Sequence, residues 1–142
     1  VGFIVGMVAG LEVVFMLLWT WSLKRLHLTT ALAISTVIYM GYCLGIAFAS
    51  EPWHVYAASI LAGVGAAGII SIPISYLLDL ISERPSMSAS LIAVNMFLGG
   101  AIGAGIFALG TSLQGYPAAA IISGMAGILG AGLLIYLERQ KT

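Results

Sequence analysis

In a chain of 142 residues, 61% are hydrophobic, only 7% are charged, the mean hydropathy is +1.13 and the formal net charge is zero. A soluble domain carries about 25% charged residues, so this chain has too little polar surface to cover a water-exposed globule and is read as an all-α integral membrane protein. Zero net charge argues against a nucleic-acid partner, which requires clustered Lys and Arg on an accessible face.

The first apolar run covers 1–23, about the length that crosses a 30 Å hydrocarbon layer at 1.5 Å per residue. It has no preceding basic region and no small-residue cleavage site, so it reads as a span rather than a signal peptide. Glycines at 2, 6 and 10 form one small-residue stripe on which a neighbouring helix can lie close. Within this run stands one acid, Glu12. An acid at such depth costs about 2.5–3.5 kcal/mol on insertion scales, which makes it a functional-site candidate by default. Two readings stand side by side: a carboxyl that exchanges protons, and a structural carboxyl bonded to another helix. Met16 and Trp19 follow four and seven residues later on the same face. Trp19 is a candidate ring platform, with membrane-facing packing near the interface as the alternative for it and for Trp21.

Lys24, Arg25 and His27 close the first span, and a second covers 30–49 with Gly41 and Gly45 four apart. Cys43 stands alone in it, so the chain has no disulfide framework and no metal set, and the thiol reads as a small packing residue. A turn at Ser50 to His54 follows. The third span, 55–81, carries Gly63, Gly65 and Gly68 before Pro73. Proline lacks an amide and clashes with the carbonyl four residues back, which predicts a kink or unwound turn pointing toward protein or a cavity. Tyr76 and Asp79 share a face beyond it. Asp79 near the boundary is a candidate to pair with Arg84, Lys24 or Arg25 as a gate, with simple solvation as the alternative.

The loop 82–86 leads to a fourth span over 89–113, for which Ser86 or Ser88 is the expected cap. Gly99 and Gly103 predict close approach to a neighbour. Asn95 is the second interior candidate, because an amide at depth needs partners; ligand binding and helix-to-helix bonding are both open. A loop at 114–117 precedes the fifth span, 118–137, and a charged tail. His27 and His54 have no metal-ligand company and read as solvated. The loops bearing Lys24, Arg25 and Arg84 and the tail bearing Arg139 and Lys141 fall on one side, which the positive-inside rule makes cytoplasmic, the C-terminus included. Five spans with an outward start predict at least one further helix upstream.

AGLEVVFML followed by SLKRLHL resembles the second-half helix and loop of major facilitator superfamily transporters, most closely the sugar efflux transporters, whose corresponding helix carries Gly-Leu-Glu before a Lys-Arg-Leu-Gly-type loop. ISYLLDLISERP is similar to that family's Tyr, Asp and following loop, and SASLIAVNMFLGG to the start of its penultimate helix. The resemblance covers nearly the whole chain, as helices eight to twelve of twelve. His27 stands where the family usually has Gly, Leu28 and Thr29 where it usually has basic residues, and Leu78 where Gln is common.

The resemblance implies a partial C-terminal six-helix bundle, multi-pass in the bacterial inner (plasma) membrane. It further implies secondary active export of sugars or related small hydrophilic solutes by proton antiport and alternating access. The partners it implies are the lipid bilayer, the missing N-terminal transporter half, a small-molecule substrate and protons, with no cofactor. Glu12, Asn95, Tyr76 and Trp19 are then the substrate or proton-pathway candidates, and Asp79, Arg84, Lys24 and Arg25 the gate candidates. Sugar hydroxyls donating to Glu12 are part of that expectation. A drug or metabolite exporter of the same superfamily is the nearest rival, and a non-transporting scaffold subunit is the reading from another class. The spans hold no Ser/His pair, no HExxH and no carboxylate cluster, so no enzyme is expected.

Overall fold

The computed structural model describes residues 2–140. Its helices are α1 (Gly2–Ser22), α2 (Leu28–Ala47), α3 (Pro52–Leu80), α4 (Pro85–Gln114) and α5 (Tyr116–Arg139). Each is long and apolar enough to cross a membrane, so the five predicted spans correspond to five helices. Their ends differ where proline begins a helix. Pro52, Pro85 and Pro117 all lie within the first turn of a helix, where the missing amide has no ladder partner to lose.

The helix α3 is the centre of the bundle, packing against both α1 and α2; α2 in turn packs on α5, and α5 on α4. Glycines explain why three helices approach so closely. A methyl added to Gly63 would stand 2.7 Å from Leu11 Cβ of α1, and one on Gly65 would stand 2.7 Å from the Tyr39 backbone of α2. At Gly68 it would strike both Ser35 of α2 and the Trp19 ring of α1. The buried cluster around this junction is Trp19, Ala31, Leu32, Ala67 and Ile72, with Phe15, Met16 and Ile38 packed against it.

The other predicted glycine contacts divide. Gly45 abuts Ala58 and Gly124 abuts Met40 and Cys43, so Cys43 is a packing residue. Gly2, Gly6, Gly10, Gly99, Gly103, Gly127 and Gly130 have open space where a side chain would be. Four-residue spacing sets up a smooth face but does not determine which helix is near enough to use it.

α4 and α5 are joined by Gly115 alone, whose φ of 78° lies in the left-handed region that glycine adopts without strain. Gly110 then receives the backbone of Ala119 at the mouth of this hairpin. At the other turn, Ser88 does not cap α4 as expected; the N-cap is Arg84. The fully buried Ser88 hydroxyl instead donates to the carbonyls of Ile81 at 3.2 Å and Leu77 at 3.5 Å, stitching the start of α4 to the end of α3. The expected unwound turn at Pro73 is also absent: α3 continues as helix through it.

Candidate functional site

Although consecutive in sequence, α3 and α4 make few contacts with each other. Between them lies a cleft. One side is an interhelical cavity of about 430 Å³ to which four helices contribute: Leu32 from α2, Ile72, Pro73 and Tyr76 from α3, Asn95 from α4 and Leu134 from α5. The other is a cavity of about 360 Å³ lined by Ile69, Pro73 and Leu77 of α3 and by Asn95, Met96 and Gly99 of α4. Pro73, Leu77 and Asn95 line both, so they form the partition.

The polar inventory of this cleft is short. The Asn95 side chain makes no hydrogen bond to any described residue. It lies ten residues into α4, about 15 Å along the helix axis, and is exposed where it borders the cleft; in a helix that crosses a bilayer, an amide at that depth has no water to satisfy it. The Tyr76 side chain adds a hydroxyl to the larger cavity. Pro73 has no N–H, so the helix ladder of α3 lacks the donor that position 73 would otherwise supply. Everything else lining the two cavities is apolar side chain or glycine.

Glu12 and Asn95 are not brought together. Glu12 lines neither cavity; it is half-buried on α1, next to the Leu11 that seats on Gly63, and lies within electrostatic range of Tyr39 on α2. Trp19 is withdrawn from solvent, with 8% of its surface accessible, and its indole Nε1–H donates to the Val64 carbonyl at 2.9 Å. This corrects the membrane-facing reading of Trp19: the indole clamps α1 to α3. Trp21, by contrast, is exposed, and the Arg25 guanidinium lies 5.2 Å from its ring centroid.

Among the described residues, Asp79 forms no ion pair with Arg84, Lys24 or Arg25, so the expected gate contacts are not made here. Sequence reasoning also missed His54. Its Nδ1 accepts the backbone N–H of Glu51 at 3.1 Å, closing the first turn of α3, and its ring lies 4.0 Å from that of Trp53. The signal was legible as a polar residue three positions after an acid and just beyond a proline. Among the described residues no group of three His, Cys, Asp or Glu is placed to hold a metal ion.

Comparison with known protein families, curated proteins and solved structures gives no match.

Proposed function

We propose that this chain is part of a secondary transporter of the major facilitator type, moving a small solute across the membrane, with the cleft between α3 and α4 as its solute site. The single observation that supports this reading is an unpartnered amide, Asn95, at the partition of two interhelical cavities in a bundle of membrane-length helices. Pockets between bundle helices, mostly apolar with a few convergent polar groups and of 300–1,000 Å³, are the usual form of small-molecule sites. In alternating access the solute stays near the midplane while helices move around it. An α3–α4 contact that is sparse except at a stitched turn suits that motion.

Efflux, proton antiport and the missing transporter half come from the resemblance. On this reading Glu12 is the proton-carrying candidate, and its place outside the cleft supports a part in coupling over solute contact. The test is flux in proteoliposomes carrying the full chain, under an imposed pH gradient. Glu12→Gln is expected to abolish the response to the gradient while leaving solute binding intact, and Asn95→Leu to weaken solute binding. Unchanged gradient-driven flux in Glu12→Gln refutes the coupling role. The scaffold reading draws support from the open glycine faces of α1 and α5. It predicts that Gly6→Leu and Gly127→Leu release a partner protein while flux is absent from the parent chain.

A further inference from the structure

Resting on that reading, we propose that the α3–α4 cleft takes a neutral amphiphile, an apolar ring-sized body bearing one hydroxyl or amide, and not a free sugar. A sugar presents hydroxyls around its whole ring, and each one stripped of water without a partner carries a desolvation cost. Among the lining residues the polar side chains are those of Asn95 and Tyr76. Against these stand Leu28, Leu32, Ile72, Leu91, Val94 and Leu98, which offer the larger cavity apolar surface only. A site built to recognise hydroxyls by hydrogen bonds has the opposite ratio.

Charge narrows the class further. No Asp, Glu, Lys, Arg or His lines either cavity, so an ionised ligand finds no counter-charge and loses its hydration. The polar atoms set the orientation. Asn95 can donate through its NH₂ and accept through its carbonyl, so one ligand group that both donates and accepts satisfies the partition. The apolar remainder of the ligand then extends into the 430 Å³ side between α2, α3, α4 and α5.

The test uses the full chain in lipid nanodiscs with 4-(hydroxymethyl)benzophenone, a neutral aryl alcohol that photolabels nearby C–H bonds, and maps the adducts by mass spectrometry. Adducts are expected on the segments 69–77 and 91–100, displaced by unlabelled 4-biphenylmethanol and not by glucose. Asn95→Leu is expected to raise the half-saturating concentration about fivefold, the loss of one net hydrogen bond, and Tyr76→Phe, which keeps the ring, by less. Displacement by glucose at the same concentrations as by 4-biphenylmethanol overturns the ligand class and leaves the cleft as the solute site. Adducts spread over the outward faces of all five helices and displaced by neither compound overturn the cleft as a solute site altogether. Unchanged half-saturation in both Asn95→Leu and Tyr76→Phe overturns the polar anchoring.

Discussion

Adding one methyl at Gly68 tests the packing on which the whole arrangement rests. In Gly68→Ala the new Cβ would stand 2.8 Å from Trp19 Cε2 and 2.9 Å from Nε1, and closer still to Ser35 Cβ. Carbon atoms in contact sit about 3.5–4.0 Å apart, so α1 and α2 both have to retreat by more than half an ångström. Overpacking of this kind costs about 1–3 kcal/mol, and displacing the Trp19 indole from the Val64 carbonyl adds about 0.5–1.5 kcal/mol. Replacing glycine in a helix by alanine returns about 1 kcal/mol through propensity. The clash therefore wins, with a net destabilisation of about 1–3 kcal/mol. Gly99→Ala is the control, because nothing lies within 4 Å of its Cβ and only the propensity gain remains. Unfolding in mixed detergent micelles, followed by circular dichroism, compares both with the parent. A Gly68→Ala protein as stable as the parent, or a Gly99→Ala protein equally weakened, refutes the assignment of α3 as the tightly packed centre.

Trp19→Phe is expected to cost about 1–2 kcal/mol, since the Val64 carbonyl loses a second donor but keeps its place in the α3 ladder; combined with Gly68→Ala in a double-mutant cycle, the two losses should add to less than their sum. Ser88→Ala removes the hydroxyl that donates to the Ile81 and Leu77 carbonyls, and should raise amide hydrogen exchange across residues 81–88 about fivefold while α1 and α2 stay protected. His54→Ala deletes the acceptor of the Glu51 N–H and is expected to fray the first turn of α3 at a cost of about 0.5–2 kcal/mol, read as faster exchange there and not at Ser88.

The helices were legible because lipid-length apolar runs separated by short polar turns leave few alternatives. What decided the interior was pairing across tens of residues, which no local pattern carries. Gly2, Gly6 and Gly10 have the regular spacing and open faces, whereas Gly63, Gly65 and Gly68 are irregularly spaced and fully used, because α3 has a helix on either side. Trp19 looks like an interfacial anchor by its place near the end of a span; its true partner, Val64, is 45 residues away. Asp79 could be placed near basic residues by sequence alone, but a pairing needs the side chains to meet, and they do not. Asn95 stood out as an amide within an apolar span, while the apolar character of its surroundings required residues from four helices.

α3 therefore divides its two tasks by face. Gly68 and Pro73 are five residues apart, about 140° around a helix of 3.6 residues per turn. On the glycine side, missing side chains let α1 and α2 press against the α3 backbone, and the Trp19 N–H fixes their register. On the proline side the helix stays continuous, its residues line the cleft, and α4 is tethered to α3 mainly through the Ser88 turn. Close packing on one face makes α3 a fixed wall, because displacing it disturbs both neighbours at once. α4, held by α5 and the Ser88 turn, has fewer contacts to other helices than α3. If α4 is the helix that moves in transport, a solute seated on Asn95 rides with it while Pro73 and Ile69 stay with α3. On the proposed reading, solute occupancy is felt first in the α3–α4 angle, and reaches Glu12 only through the α3 backbone against which Leu11 is pressed.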